Sequence, residues 1–210
     1  MSFDVDVSRT LGEAHVGATF ATQGGLTVLS GVSGAGKTSV LNMVAGLLRP
    51  DSGHVRVDGI TLFDAAARID LPPHKRRLGY VFQDGRLFPH RRVRANLLYG
   101  HHLAEPEDRW ITLDDVVGIL GIGALLDRWP RSLSGGEAQR VAIGRALLSG
   151  ARALLMDEPL ASLDPERRAE IMAMILRIRD ELALPILYVT HDPAEADRLA
   201  NDRVEISRRP

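Results

Sequence analysis

The sequence predicts an α/β fold built on a mainly parallel sheet. Three observations carry that prediction: short apolar runs separated by helical segments, a glycine-rich turn joining one run to a helix, and a run that ends in paired carboxylates. The runs Leu26 to Ser30, Ala153 to Met156 and Ile186 to Thr190 are apolar on both faces. Strands covered on both sides of a parallel sheet require that pattern.

The elements follow in order. Phe3, Val5 and Val7 alternate with polar residues and predict a half-exposed strand, and Ala14 to Ala21 predicts a second before the turn Gln23-Gly24-Gly25. After Leu26 to Ser30 comes a helix over Ser39 to Leu48, with Val40, Leu41, Val44, Leu47 and Leu48 at helical spacing and a stop at Arg49-Pro50-Asp51-Ser52-Gly53. His54 to Asp58 reads as a strand, Asp58-Gly59 as a tight turn and Ile60 to Phe63 as the returning strand. Leu71-Pro72-Pro73 opens a basic run, His74 to Arg77, which reads as a solvated face because no aromatic residue is interleaved for base stacking. Leu78 to Phe82 is another strand, with Gln83 at its end. Helices are then expected over Val93 to Tyr99, over Leu113 to Leu120 behind the N-cap Thr112, over Glu137 to Leu148 and over Pro165 to Leu182. The organisation is one domain, with 1–83 and 151–210 as the α/β core and 84–150 as a helical insertion.

Composition bounds the function. The 210 residues, 45% of them hydrophobic, can fill a sizeable core. Twenty-six basic residues against 27 acidic ones leave a net charge of −1, so no global field draws the chain to nucleic acid or to a membrane surface. There is no cysteine and hence no disulfide or thiol chemistry. The start, Met1-Ser2-Phe3-Asp4-Val5-Asp6, lacks the basic and apolar regions of a secretory signal, and no apolar run reaches the ~20 residues of a membrane span.

Chemistry enters at Gly31-Val32-Ser33-Gly34-Ala35-Gly36-Lys37-Thr38, followed by Ser39. The stretch matches G-x-x-x-x-G-K-[ST], in which glycines let backbone N–H groups curl around a polyphosphate, the lysine reaches the β/γ oxygens and the hydroxyl serves Mg²⁺. The helix that follows adds its N-terminal partial positive charge. A second feature is Asp157-Glu158 at the end of an apolar strand. Read alone it is an ordinary turn before Pro159. Beside a phosphate loop, the first acid suits Mg²⁺ and the second suits orienting or deprotonating an attacking water.

Leu133-Ser134-Gly135-Gly136-Glu137 has capping-box spacing between Ser134 and Glu137, yet two glycines in a first helical turn weaken a helix and favour close approach of a ligand. With Ala138 to Leu147 behind it, this stretch resembles the signature motif of ABC-type ATPases, and it lies between the phosphate loop and the Asp157-Glu158 strand as in that family. The resemblance spans nearly the whole chain. Gln83 corresponds to the family's Q-loop glutamine, which senses Mg²⁺ and water; Ser162-Leu163-Asp164 is similar to the D-loop, and His191 to the switch histidine. Within the family, Lys75 to His90 and Asp157 to Asp164 most resemble ATPase subunits of molybdate importers, with tungstate and sulfate importers as near neighbours.

What this resemblance implies is specific. The core would be a P-loop NTPase (RecA-like) fold with an antiparallel β subdomain and a helical signature-motif subdomain. ATP with Mg²⁺ would be sandwiched in a head-to-tail homodimer, between Gly31 to Ser39 of one copy and Ser134, Gly135, Gly136 and Glu137 of the other, with Asp164 also among the nucleotide-binding residues. Thr38, Gln83 and Asp157 would serve the metal, and Lys37, Glu158, His191 and Gln83 the hydrolysis. An integral membrane permease would dock near Asp84 to Gly100, where Phe88 and Pro89 offer an apolar contact, and a periplasmic oxyanion-binding protein would act through that permease. The chain would sit peripherally on the cytoplasmic face of the bacterial inner membrane. No nucleic acid is expected.

Two departures from the family stand out. No aromatic residue lies in Ser8 to Thr19 to stack on adenine, and Leu11 and His15 are the nearest candidates. The sequence also stops at Val204 to Pro210, where relatives continue and molybdate-type subunits often append a regulatory domain, so either that control is lacking or the chain is truncated. The same catalytic residues would serve an exporter or a lipoprotein-release ATPase. An ABC-type ATPase working on nucleic acid or ribosomes usually carries long coiled-coil insertions, for which the interval between Gln83 and Ser134 leaves no room.

Overall fold

The computed structural model describes residues 2–206, so the readings that touch Met1 and 207–210 lie outside the described residues. Its strands form two five-stranded sheets. In the first, β1 (Phe3–Leu11), β2 (Ala14–Thr22), β4 (Ser52–Val57), β5 (Ile60–Asp64) and β6 (Ile69–Asp70) are antiparallel in the order β2-β1-β4-β5-β6. Asp58 (φ 51°) and Gly59 (φ 75°) join β4 to β5 in left-handed conformation at both turn positions, which matches the twist of a two-residue hairpin.

In the second sheet, β3 (Leu26–Ser30), β7 (Leu78–Val81), β8 (Ala153–Asp157), β9 (Ile186–Val189) and β10 (Asp202–Glu205) all run parallel in the order β10-β3-β9-β8-β7. Both faces are covered. Leu29, Leu155, Leu187 and Val189 join Val40, Leu41 and Val44 of α1 (Lys37–Ala45) and Phe3, Val5, Val55 and Phe63 of the first sheet in one core. Leu26, Val28, Leu154, Met156, Ile186 and Tyr188 point the other way. There they meet the helical layer of α2 (Val93–Leu103), α3 (Leu113–Leu120), α4 (Gly135–Leu147), α5 (Pro165–Leu182) and α6 (Pro193–Leu199). The alternation of strand side chains between two apolar cores accounts for the unbroken apolar runs in the sequence. Among the described residues no helix is long and apolar enough to cross a membrane.

Three sequence expectations are corrected. The first helix stops at Gly46 (φ 78°), and Leu47, expected on its buried face, is exposed instead. The helix beginning at Val93 runs to Leu103, a turn beyond Tyr99, because the polar Gly100-His101-His102 interrupts the apolar pattern without interrupting the backbone. The basic run is not a solvated face throughout, for Arg76 is completely buried. Its Nη1 donates to the carbonyls of Met43 (3.0 Å) and Val44 (2.8 Å), Nε to that of Leu71 (2.7 Å), and Nη2 pairs with Asp70 (3.1 Å).

Arg76 therefore satisfies carbonyls that the last turn of α1 leaves open, and its positive charge faces the negative end of that helix. A Cβ on Gly46 would lie 2.5 Å from Arg76 Nε, so the glycine makes room for the guanidinium as well as adopting the left-handed cap. Because α1 carries Lys37 and Thr38, this cap fixes the helix that holds them. Arg76→Ala is expected to lower the unfolding free energy by about 3 kcal/mol, since it takes a donor from the carbonyls of Met43, Val44 and Leu71 and a positive charge from the C-terminal end of α1. Arg76→Lys should recover less than half of that, because an ammonium cannot reproduce the planar fork. Urea unfolding of the two variants against wild type checks both values.

Candidate functional site

Parallel strands deliver their C-terminal ends to one edge, and at that edge β3, β7, β8 and β9 release Gly31, Gln83, Glu158 and His191. The phosphate-type loop runs from Gly31 to the start of α1. Gly36 is in left-handed conformation (φ 97°), and a Cβ there would come within 2.5 Å of Val16 Cγ1, so the β1–β2 hairpin packs against the loop. Lys37 is 95% buried in this turn, and its Nζ donates to the carbonyls of Gly31 (2.8 Å) and Val32 (3.0 Å). The ammonium is thus held across the mouth of the loop by carbonyl dipoles rather than by a carboxylate. An anion entering the loop gains the full charge of Lys37 at short range.

The carboxylates meet this loop directly. Thr38 Oγ1 donates to Asp157 Oδ1 at 2.9 Å. Burial raises the pKa of Asp157, the Thr38 hydroxyl lowers it, the neighbouring Glu158 charge raises it again, and the net direction is upward. Tyr80, which the sequence reading missed, places its phenol 3.0 Å from Asn42 Oδ1 and 3.5 Å from Asp157 Oδ2. Burial, then the negative charge of Asp157, keeps that phenol protonated and donating. Its only sequence signal was a tyrosine one step inside the strand that precedes Gln83.

Glu158 occupies the left-handed region (φ 43°), rare for a residue with a Cβ, while its N–H donates to Val189 O at 3.0 Å. This backbone turn leaves its Oε2 3.0 Å from His191 Nδ1. The loop residues Gly31, Val32 and Ser33 line one cavity of about 560 Å³ together with His191 and Asp192. Lys37, Thr38, Asp157, Glu158 and His191 are therefore one constellation. Gln83 stands exposed two residues past β7, beside the end of β8. Its loop is held from behind by Arg145 of α4, which donates to the carbonyls of Gly85 (2.9 Å) and Arg86 (2.7 Å).

Ser134, Gly135, Gly136 and Glu137 are not part of that constellation. Ser134 caps α4 with a complete capping box, accepting from Glu137 N–H (3.3 Å) while Glu137 Oε2 accepts from Ser134 N–H (2.7 Å). That backbone N–H, then the Ser134 hydroxyl and Arg128, holds the Glu137 carboxyl below its ordinary range. Ser134, Gly136 and Glu137 line a separate cleft of about 460 Å³ that shares no residue with the cavity at Gly31 to Ser33. Asp164 lies on this side, as the N-cap of α5, accepting from Arg167 N–H at 3.0 Å. Of the adenine candidates, Leu11 is exposed and His15 half-buried at the tip of the β1–β2 hairpin.

A third surface lies on α2. Arg91, Ala95, Leu98, Tyr99 and Leu103 line an apolar groove of about 470 Å³, rimmed by Arg92, Arg94, His102 and Asp127. Phe88, expected to face outward, is instead half-buried against Tyr99 (ring centroids 4.6 Å apart), with the Arg145 guanidinium 5.3 Å from its ring. It supports the groove floor, while Tyr99 and Leu103 provide the exposed apolar surface.

Known proteins match the chain in sequence and in fold. The profile of the family described as ABC transporter matches residues 19–161. The molybdenum import ATP-binding protein ModC of Mesorhizobium japonicum is 53% identical over 208 residues, which cover 99% of this chain and 56% of that protein. Its namesake from Rhodospirillum rubrum is 55% identical over 204 residues, covering 97% and 55%. The chain thus spans a little over half the length of these curated relatives. Among solved structures, cbiO1 from Clostridium perfringens, part of the ABC transporter complex cbiONQ, superposes with a TM-score of 0.82 at 26% identity, over 99% of this chain and 86% of that one. A dimeric ATP-binding cassette in a post-hydrolysis state with ADP and Pi shares the fold, with a TM-score of 0.76 at 24% identity over 98% and 94%. With a family match over more than half its length and a phosphate loop, paired carboxylates and histidine on one sheet edge, the chain belongs to the ABC transporter family.

Proposed function

We propose that the chain is the ATP-hydrolysing subunit of an importer that moves molybdate through a separate membrane permease. The observation that carries the reading is the single edge on which Lys37, the Thr38–Asp157 bond and the Glu158–His191 pair meet. The name shared by the curated relatives supports the solute.

The triphosphate lies along Gly31 to Ser39, with Lys37 and the loop N–H groups on its β/γ oxygens. Glu158 takes a proton from the attacking water as the water oxygen bonds to the γ-phosphorus and the bond to the β–γ bridging oxygen breaks. His191, paired with Glu158, holds the water and the γ-phosphoryl in register. Positioning and electrostatics account for this reaction, so no covalent nucleophile is needed. Residues in the Ser134 cleft belong to the half of the site given by a second copy, whose Ser134 and N-terminal amides of α4 stabilise charge spreading onto the γ-phosphoryl. Asp164 lies at the seam between copies, and Gln83 bridges the metal side of the site and the α2 groove.

The residues fit Mg²⁺. Thr38 and Asp157 present oxygen donors 2.9 Å apart. Among the described residues no cluster of three or more His, Asp or Glu side chains could hold a metal alone. Mg²⁺ commonly uses one or two protein oxygens together with substrate phosphates. When bound, it would supply neutralising charge to the β/γ oxygens; Thr38 and Asp157 would hold it, with Gln83 alongside. The α2 groove takes the permease, and a periplasmic oxyanion-binding protein delivers solute to that permease. The chain itself works as a homodimer on the cytoplasmic face of the bacterial inner membrane.

Phosphate release by purified protein tests the reading. Glu158→Gln is expected to bind ATP with unchanged affinity and lose ~10²- to 10⁴-fold in turnover, the usual contribution of a general base. Lys37→Ala should lose the nucleotide itself. Wild-type turnover in Glu158→Gln would remove the assigned base.

Because burial raises the Asp157 pKa above its unfolded value, the folded protein binds that proton more tightly. The ionised carboxylate therefore costs stability above the raised pKa, and the cost fades as pH falls through it. Asp157→Asn should raise the thermal midpoint of nucleotide-free protein in EDTA at neutral pH while abolishing turnover. The difference in midpoint should narrow in acid, as scanning calorimetry across pH will show.

A further inference from the structure

We propose that Arg168 and Glu195 are positioning residues for His191, a charge clamp tying the first turn of α5 to the turn that carries the imidazole. The proposal rests on the ATPase reading above and adds residues outside the constellation described there.

Glu195 is 5% exposed, yet it is a carboxylate. Its Oε2 accepts from Tyr188 Oη at 3.0 Å and from Thr190 Oγ1 at 2.8 Å. Burial, then the Glu195 charge, holds the Tyr188 phenol well above its ordinary pKa, so it remains a donor. Thr190 Oγ1 in turn accepts from Asp192 N–H at 3.0 Å. The residues on both sides of His191 are thus bound to one another, and Thr190 is bound to Glu195.

Arg168 supplies the opposing charge. Its Nη1 lies 2.9 Å from Asp192 Oδ2 and 3.7 Å from Glu195 Oε1, so one guanidinium holds two carboxylates around the histidine turn. Arg168, Glu195, Glu158 and His191 also line one small cavity of about 50 Å³, which sets the clamp directly behind the Glu158–His191 pair. Arg168 N–H donates to Asp164 O at 2.9 Å, so a shift at the start of α5 reaches the histidine turn through this side chain.

Removing the guanidinium would leave a buried carboxylate unpaired beside a second one, a costly arrangement that the turn relieves by opening. The Glu158–His191 contact would then loosen. Arg168 and Glu195 make no bond to Lys37, Thr38 or Asp157, so the grip of the phosphate loop on a nucleotide should not follow. The clamp is electrostatic, and neutralising its excess negative charge should repair it.

The test compares Arg168→Ala, Arg168→Lys, Glu195→Gln and the double variant Arg168→Ala/Glu195→Gln with wild type. ATP turnover, KM, nucleotide affinity and the His191 ring resonances of nucleotide-free protein are measured for each. Arg168→Ala should lower kcat by ~10- to 100-fold, the scale of a small misplacement of a reacting group. KM and affinity should stay within about twofold, and the ring resonances should move. Arg168→Lys and the double variant should recover most of the turnover and return the resonances towards wild type, and Glu195→Gln alone should be mild. Equal losses in Arg168→Ala and the double variant, a change in KM without kcat, or unmoved His191 resonances would overturn the clamp. If wild type itself fails to hydrolyse ATP, the parent reading falls, while the resonances still decide the clamp.

Discussion

All five strands of the second sheet run the same way, and that one constraint makes the site possible. Parallel alignment sends every strand's C-terminal end to a common edge, so a loop after β3, carboxylates after β8 and a histidine after β9 converge though they lie far apart in sequence. The Thr38–Asp157 bond fastens the loop helix to this edge at 2.9 Å. Hydrogen-bonded strands on either side of β9 then leave little freedom to the Glu158 and His191 backbones. Two apolar cores, one on each face, keep the sheet rigid enough to hold those positions.

The same architecture separates the phosphate loop from the signature turn. Ser134 and its glycines cap α4 in the helical layer and line a cleft of their own. Their place in a cleft that shares no residue with the cavity at Gly31 to Ser33, together with the helix N-terminus they cap, supports the proposed site completed by a second copy. Between the two halves lies the start of α5, where Asp164 faces the signature side and Arg168 reaches the histidine side. The α2 groove connects to this machinery through Arg145, which leaves α4 to hold the loop after Gln83.

The fold and the loop were legible because their signals are local. Gly31 to Thr38, the Asp58-Gly59 turn and the doubly apolar strands each announce their geometry within a few residues. The Ser134–Glu137 capping box was legible too, and it forms even though glycines weaken the first turn. What was hidden depends on contacts across the chain. Arg76 looked like one of several surface bases, and its burial follows from the open carbonyls of α1 and the space left by Gly46, which also ended the helix before Leu47. Tyr80, Arg168 and Glu195 carry no motif. Their partners are Asp157, Asp192, Tyr188 and Thr190, brought to them only by sheet order and helix packing. Phe88 read as a surface aromatic because nothing in its neighbourhood foretold Tyr99 and Arg145 closing over it.

Complementation between two damaged copies tests the proposed shared site most directly. Ser134→Arg blocks the cap and Lys37→Ala empties the cradle, so each protein alone should be inactive. A mixture can assemble one intact site, from the cradle of the first copy and the cap of the second. Phosphate release well above the sum of the separate proteins is the predicted result. A mixture that forms mixed dimers and stays as inactive as its parts would contradict the shared site.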